Sequence, residues 1–429
     1  MSTLVQPAPK ARVASQYSLG HNLGVIFGVA LALLAIVLMM VFVAVLPITT
    51  LVPPLVWITL IAADLALIAA VFVYRQRPGI VATLVGAAII VALTAIAASQ
   101  VFAGTPPILG DDGKPLLGSI AVMEKVNLNG SEQWITIRGK DATKPVLLYL
   151  GIGGPGAGGF PATRMNLAPL EDHFVVVNWD QPGTGKSYNA VPISTLTVQR
   201  FVDDAHVLTE MLRARFHQDK IYVVGLSWGT ILGIKLVQQY PDLFYAYAGN
   251  GQMVNTTEND RFGYDLALKL VTERGDTRMA DTLRAYGPPP YMGDGMAAKY
   301  MAYNNVLFDY MGSPRLEMVL LVGPHFAYEY GWIDRLNFAR GLMDSYPVVY
   351  GQLYDLDFTQ QAAKLDVPAY FLVGEKDVNA VASIVERYYN GLEAPHKELI
   401  WLESGHGAGA QEYLDVMVNH VLAHSPPTK

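Results

Sequence analysis

Residues 221–230 read Ile-Tyr-Val-Val-Gly-Leu-Ser-Trp-Gly-Thr, and this segment decides the fold. Its four apolar residues at 221–224 predict a short buried strand, and residues 230–239 predict the helix that follows. Between them, Gly225-Leu226-Ser227-Trp228-Gly229 fits the pattern G-x-S-x-G, a sharp strand-to-helix turn that lifts a serine hydroxyl above a sheet. The segment therefore predicts an α/β fold in which Ser227 is a nucleophile.

Strands and helices alternate on both sides of this turn. Apart from the strand at 221–224, the hydrophobic pattern predicts strands at 120–126, 133–137, 145–150, 174–179, 367–373 and 397–402. It also predicts helices at 198–216 and 410–423. Such alternation implies a mainly parallel sheet with helices on both faces. We expect one α/β domain over residues 120–429, preceded by a linker at 104–119 that is rich in turn-forming residues.

A serine hydroxyl is a weak nucleophile and needs a histidine base that a carboxylate orients. In folds built on this turn, the acid and then the histidine follow the serine along the chain. His406 comes directly after the strand at 397–402, and Asp377 comes after the strand at 367–373, with Glu375 as the alternative acid. We therefore predict a catalytic triad of Ser227, Asp377 and His406.

The glycine-rich loop after the strand at 145–150 has the sequence Gly151-Ile152-Gly153-Gly154-Pro155-Gly156. Attack on a carbonyl group creates an oxyanion, which two fixed backbone N–H groups stabilise. We predict that Trp228, the residue after the nucleophile, donates one of them and that Gly154 donates the other. This chemistry requires no metal and no organic cofactor.

Two other motifs overlap these segments. The same loop satisfies G-x-G-x-x-G, and Asp180 ends the next strand, as in a dinucleotide-binding site. Pro155 makes the loop a poor start for a phosphate-binding helix, and a dinucleotide site leaves Ser227 unexplained. Residues 183–187 resemble the end of a P-loop, but Asp180 stands where that motif requires glycine. The serine-nucleophile hypothesis is favoured over both.

The amino-acid composition excludes cysteine-based chemistry and argues against nucleic-acid binding. The chain has 429 residues, a formal net charge of −7, 16% charged residues and no cysteine. Without cysteine there are no disulfides, no thiolate metal sites and no cysteine nucleophile. Residues 104–429 are acidic on balance and lack the basic stripe of a nucleic-acid-binding protein, so we expect no nucleic-acid partner.

The first hundred residues have a different character. Three apolar runs, at 23–46, 54–74 and 80–103, are each long enough to cross the hydrocarbon core of a bilayer. Within them, Asp64 is an ionisable residue in mid-span, which suggests either a functional group or a contact between helices. The sequence therefore predicts a three-helix membrane anchor.

The basic residues predict how this anchor is oriented. Lys10 and Arg12 precede the first run, Arg75 and Arg77 separate the second from the third, and the loop at 47–53 carries no charge. The positive-inside rule then places the tail at 1–22 in the cytoplasm. Three spans deliver the domain after residue 103 to the outer side of the cell membrane.

Taken together, these motifs resemble the α/β-hydrolase superfamily and, within it, the proline iminopeptidase branch of serine peptidases. The resemblance rests on Gly153-Gly154-Pro155-Gly156, on the stretch Trp179-Asp180-Gln181-Pro182-Gly183-Thr184-Gly185-Lys186-Ser187, and on Trp228 after the nucleophile. Two positions depart from that branch: Ile152 replaces its usual histidine and Pro182 its usual arginine.

The resemblance implies a mostly helical cap at about 253–350, rich in aromatic residues that suit a hydrophobic acyl or prolyl group. It also implies carboxylates that pair with the amino group of a small or short-peptide substrate. The cap offers Glu258, Asp260, Asp265, Glu329 and Asp334 for this role. We expect a membrane-anchored, proline-iminopeptidase-like aminopeptidase. A carboxylesterase or lipase of the same fold and a non-catalytic membrane sensor remain alternatives, and the oligomeric state is left open.

Overall fold

The computed structural model describes residues 18–151, 154–160, 164, 166–293, 295–313 and 327–427. The chain forms two compact units, one of Met1–Pro47 with Val52–Ser99 and the other of Ile48–Leu51 with Gln100–Lys429. Some residues used in the sequence analysis lie outside the described ranges: Lys10, Arg12, Ile152 and Gly153.

The N-terminal part of the chain is helical. Its helices are α1 (Ser18–Ala44), the short α2 (Leu46–Thr49), α3 (Pro54–Val73) and α4 (Pro78–Val101). Proline begins both α3 and α4, where its missing N–H costs no intrahelical hydrogen bond. Three segments are long and apolar enough to cross a membrane: Leu23–Thr49, Pro54–Val73 and Pro78–Val101. Asp64 on α3 is buried within this unit.

An eight-stranded sheet forms the centre of the second unit. Its strands are β1 (Ile120–Leu128), β2 (Ser131–Gly139), β3 (Val146–Tyr149), β4 (Val175–Asp180), β5 (Ile221–Leu226), β6 (Phe244–Asn250), β7 (Ala369–Gly374) and β8 (Lys397–Leu402). Their order across the sheet is β1-β2-β4-β3-β5-β6-β7-β8. The pairs β1–β2 and β2–β4 are antiparallel, and the other neighbours are parallel. The predicted α/β class is confirmed, and the first two strands form a hairpin.

Both faces of the sheet are buried. Side chains alternate along each strand, so Val223 on β5 joins one core cluster while Tyr222 and Val224 join the other. The first cluster includes residues of α5 (Val198–Phe216) and α6 (Trp228–Gln239). The second includes residues of α13 (Ala410–Val416) and of the π-helix Met417–Leu422. A fully buried sheet explains why its strands are continuous apolar runs.

Helices between β6 and β7 cover the carboxyl ends of the strands. They are α7 (Thr256–Glu273), α8 (Thr277–Tyr286), α9 (Met296–Met311), α10 (Trp332–Tyr350) and the short α11 (Phe358–Gln361). After β7 comes α12 (Ala382–Gly391). The aromatic residues predicted for a cap lie mainly on α7 to α10, and Tyr264, Tyr300 and Tyr303 among them are buried.

Candidate active site

The turn between β5 and α6 holds Ser227 in a rarely populated backbone conformation. Its φ is 54° and its ψ is −117°, in a region that residues other than glycine avoid. The turn is fixed on both sides, because the Ser227 N–H donates to the Asn250 carbonyl at 3.0 Å and the Thr230 N–H donates to the Ser227 carbonyl at 2.8 Å. Strain of this kind persists only where the surrounding structure enforces it.

The two glycines of the turn are required by close backbone contacts. A Cβ atom on Gly229 would lie 2.0 Å from the carbonyl oxygen of Leu150, at the end of the neighbouring strand. A Cβ atom on Gly225 would lie 2.5 Å from the carbonyl oxygen of Gly229. Neither position has room for a side chain, which accounts for the G-x-S-x-G pattern.

Asp377 and His406 meet above the carboxyl ends of β7 and β8. The distance between Asp377 Oδ2 and His406 Nδ1 is 2.9 Å. The other carboxylate oxygen, Oδ1, accepts hydrogen bonds from the backbone N–H groups of Asn379 and Ala380, both at 2.8 Å. Glu375, the alternative acid, is exposed. Of the two candidate acids, Asp377 is therefore the one that contacts His406.

The environment of His406 suits a base. Burial lowers the pKa of its imidazole, but the charge of Asp377 and the hydrogen bond that His406 donates to it outweigh burial, so that the pKa lies above its ordinary value of 6.5. Its second nitrogen, Nε2, is buried and has no hydrogen-bond partner among the described residues. His406 and Ser227 both line one cavity, into which a substrate carbonyl would have to enter.

This cavity has a volume of about 160 Å³ and lies between the sheet and the cap helices. Its size is comparable with apolar cavities that take up one benzene-sized ring. The lining is mostly apolar and aromatic, contributed by Trp228, Ile231, Met253, Ala297, Tyr300, Met301, Phe308, Leu342, Met343, Tyr346, Tyr350 and Leu353. The polar exceptions from the cap and its surroundings include Asn259, Asp260, Asn304 and Asn379.

The two residues predicted to donate to an oxyanion line the same cavity. Gly154 lies against the cap, since a Cβ atom on it would be 2.9 Å from a ring carbon of Tyr346. The Trp228 indole is fixed by a hydrogen bond from Nε1 to the Gln181 side-chain oxygen at 2.9 Å. The contacts with Tyr346 and Gln181 therefore hold Gly154 and Trp228 beside Ser227 at the wall of the cavity.

Of the cap carboxylates, Asp260 lines the cavity. The Tyr350 hydroxyl donates to its Oδ1 at 2.8 Å, and its Oδ2 is buried without a hydrogen-bond partner among the described residues. The pKa of Asp260 is raised to about 7 because the carboxyl group is buried. The hydrogen bond from Tyr350 offsets part of this rise. An acid with such a pKa in a cavity is a candidate for binding a cationic group.

The other cap candidates do not line this cavity. Glu258 is exposed and forms an ion pair with Arg387. Glu329 is buried with Arg164 at 3.5 Å. Asp334 is held by Lys186 at 2.8 Å, and Asp265 is exposed.

Sequence reasoning did not single out Met343, Tyr346 and Tyr350 as cavity residues. They lie three and four positions apart on α10, so one face of that helix carries all three. This spacing was the available signal, but it predicts a buried face without indicating which neighbour covers it.

Two comparisons with known sequences found a matching family model and a curated relative. A family model described as "Serine aminopeptidase, S33" (Hydrolase_4) matches residues 170–280. The "Probable aminopeptidase YbaC" of Bacillus subtilis (strain 168) is 30% identical over 312 residues, which cover 72% of this chain and 97% of that protein.

Solved structures show the same fold. The proline iminopeptidase of Mycobacterium smegmatis superposes with a TM-score of 0.52 and 18% identity, covering 71% of this chain and 98% of its own. A membrane phospholipase A superposes with a TM-score of 0.50 and 18% identity, covering 80% of this chain and 97% of its own. The predicted α/β-hydrolase fold is confirmed by these likenesses.

Proposed function

Because this chain belongs to the serine aminopeptidase family S33 of α/β-hydrolases and is a serine hydrolase, we propose that Ser227, His406 and Asp377 are its catalytic triad. The observation that carries the proposal is the 2.9 Å contact between Asp377 and His406, with the free Nε2 of His406 buried at the cavity that Ser227 lines. We further propose that the preferred substrates are small amides or short peptides with a free amino terminus.

In the proposed mechanism, Ser227 Oγ attacks the substrate carbonyl carbon while His406 Nε2 accepts the hydroxyl proton. The negative charge that develops on the carbonyl oxygen is stabilised by the backbone N–H groups of Gly154 and Trp228. The imidazolium then donates its proton to the leaving amine, which departs and leaves an acyl-enzyme. Water, deprotonated by His406, hydrolyses the acyl-enzyme and restores Ser227.

Asp377 has two roles in this scheme. Its carboxylate holds the Nδ1–H of His406, which leaves Nε2 free to accept a proton, and its charge stabilises the imidazolium. The two backbone hydrogen bonds to Oδ1 fix the orientation of the carboxylate. They support the view that the acid is positioned before substrate binds.

The choice between amide and ester substrates has a direct test. The intact chain should hydrolyse an alanyl or prolyl naphthylamide with a higher kcat/KM than the same amide with its amino group acetylated. The same fold is found in a membrane phospholipase A, so a short-chain nitrophenyl ester belongs in the same panel. Turnover of the ester alone would favour the esterase alternative.

The raised pKa of His406 predicts a pH dependence. The base must be neutral, so kcat/KM of the free enzyme should fall about tenfold per pH unit below a pKa that exceeds 6.5. Asp377→Asn removes the charge that raises this pKa while burial persists, so the inflection should move to lower pH. The measurement uses the acetylated amide or the short-chain nitrophenyl ester, since neither has a titrating amino group of its own. An identical inflection in both proteins would contradict the assignment of Asp377.

We also propose that the three apolar helices anchor the chain in the cell membrane with the hydrolase domain outside. Because the chain contains no cysteine, a single introduced cysteine reports its side of the membrane without background. Leu117→Cys, at a position that is 95% exposed, should react with a membrane-impermeant maleimide in intact cells. Gln76→Cys, in the turn between α3 and α4, should react only after lysis. The reverse pattern would mean the opposite orientation.

A further inference from the structure

A cluster of histidines lies at the end of β8 that is remote from the candidate active site. His406 follows the carboxyl end of this strand, whereas His396 precedes Lys397 and Glu398 is the second residue of the strand. At about 3.3 Å per residue, Glu398 and the loop that begins at residue 403 are separated by roughly 15 Å. The cluster is therefore distinct from the residues proposed for hydrolysis.

The cluster brings two segments of the chain together. His420, in the π-helix, and His424, in the helical residues that follow it, face His396 and Glu398. The distance from Glu398 Oε2 to His396 Nε2 is 3.9 Å, and to His424 Nδ1 it is 4.0 Å. One nitrogen of each of these two histidines and one oxygen of Glu398 lie within 4.8 Å of one another.

Two of these atoms are buried without a hydrogen-bond partner among the described residues, His396 Nε2 and Glu398 Oε2. A buried polar atom that makes no hydrogen bond costs free energy, so such atoms call for an explanation. The other oxygen of the same carboxylate is satisfied, since His420 Nδ1–H donates to Glu398 Oε1 at 2.7 Å. The unpartnered atoms of His396 and Glu398 are 3.9 Å apart.

The scaffold beneath the cluster is firmly held. The Tyr222 hydroxyl donates to the carbonyl of Ser425 at 2.5 Å, and the Tyr370 hydroxyl is 2.9 Å from the Ser425 side-chain oxygen. These contacts attach the residue next to His424 to two strands of the sheet. The preceding segment, Met417–Leu422, is a π-helix, a rare conformation that occurs often at functional sites.

We propose that His396, Glu398 and His424 bind one divalent transition-metal ion of the zinc type, with His420 as a positioning residue for the carboxylate. Imidazole nitrogens with one carboxylate form a ligand set that suits zinc, nickel, copper or iron rather than calcium or magnesium. A hydrogen bond from a neighbouring group to a metal-binding carboxylate is the usual outer support of such sites. The ion would attach the C-terminal helix to β8.

The distances agree with this assignment. Zinc bonds to nitrogen and oxygen are about 2.0–2.2 Å long, so two ligand atoms at the tetrahedral angle on one ion are about 3.3–3.6 Å apart. The 3.9 Å and 4.0 Å separations from Glu398 Oε2 exceed this range by a few tenths of an ångström, as expected of a site before the ion draws its ligands together. All three ligand atoms lie within 4.8 Å of one another, so only a small rotation of an accessible ring is required to bring them onto one ion. Binding at His424 Nδ1 exchanges its hydrogen bond to the His420 carbonyl, at 2.9 Å, for a bond to the metal.

The test is a calorimetric titration of the full chain in detergent with ZnCl₂, after purification without a histidine tag and treatment with a chelator. We expect one zinc ion per chain and a rise in Tm of a few degrees at saturation, because the ion binds the folded state. CaCl₂ and MgCl₂ should give neither effect. The variants His396→Ala and His424→Ala should each weaken zinc binding by at least about 100-fold, and His420→Ala by about 10- to 100-fold.

His206→Ala is the matched control. His206 lies on α5 with a carboxylate, Glu210, at 4.0 Å, and its removal should leave zinc binding unchanged. Should an alanine variant fail to fold, Glu398→Gln preserves the volume of the side chain while weakening the ligand. Unchanged zinc affinity in the double variant His396→Ala/His424→Ala, or no zinc binding by the unmodified chain, would overturn the proposal.

Discussion

Replacing Ser227 with alanine should lower kcat/KM by about 10³-fold or more on every substrate that the enzyme hydrolyses. The alanine lacks the hydroxyl that forms the acyl-enzyme, so only the oxyanion donors and substrate binding remain. The fold should persist, because alanine has the same Cβ atom as serine and tolerates the turn at φ 54° no worse. Initial rates, with a melting curve of each protein, provide the measurement.

Labelling separates loss of the nucleophile from a general loss of activity. A fluorophosphonate should modify the unmodified chain on the peptide that contains Ser227 and should leave the Ser227→Ala variant unlabelled. Ser119→Ala, in the linker directly before the domain, is the control and should keep full labelling and turnover. Retention of more than a tenth of the turnover by Ser227→Ala would refute the assignment, and failure of the unmodified chain to react would favour the non-catalytic sensor.

The sheet and the turn at Ser227 could be predicted because local rules determine them. Residues 221–224 are apolar on both faces of a buried strand, and two glycines bracket the serine where backbones touch. The loops that carry Asp377 and His406 follow predicted strands, and parallel strands end at one edge of a sheet. The shared direction of the two strands therefore brings the two loops to the same edge of the sheet. In the structure, the two side chains are 2.9 Å apart.

Other features depend on contacts that no local pattern records. The hydrophobic pattern does not delimit β6 (Phe244–Asn250), because so short an apolar run fits a buried strand and a buried helix segment equally. The predicted helix at 410–423 is confirmed in position, but it changes to a π-helix at Met417. In the cap, Glu258 and Asp260 are two positions apart on α7, and only the packing of α9 and α10 determines which of them is buried.

Because this packing places Asp260 at the cavity, we propose that it is the cap carboxylate that binds a free amino terminus. Tyr300 and Tyr350 enclose it with ring centroids 4.9 Å apart, and Tyr346 stacks on Tyr350 at 4.7 Å. Ser227 and His406 line the same cavity of about 160 Å³, so a group bound at Asp260 is a short distance from the scissile carbonyl. An ammonium group at this position would pair with the carboxylate and lower its pKa from about 7.

We therefore expect acetylation of an alanyl or prolyl naphthylamide to lower kcat/KM by roughly 30- to 150-fold, equivalent to about 2–3 kcal/mol of lost transition-state binding. The blocked substrate leaves the Asp260 carboxylate unpaired, and burying an unpaired charge is costly. In Asp260→Asn, the rate on the free amide should fall by a similar factor, and the preference for it over the acetylated amide should approach one.

Glu258→Gln is the matched control, since Glu258 is on the same helix but exposed and paired with Arg387. It should retain both the rate and the preference of the unmodified chain. The comparison also identifies where the hypothesis fails. If the unmodified chain hydrolyses free and acetylated amides at equal rates, the aminopeptidase specificity is wrong even if Ser227 remains essential. If the preference exists but survives in Asp260→Asn, another group binds the amino terminus.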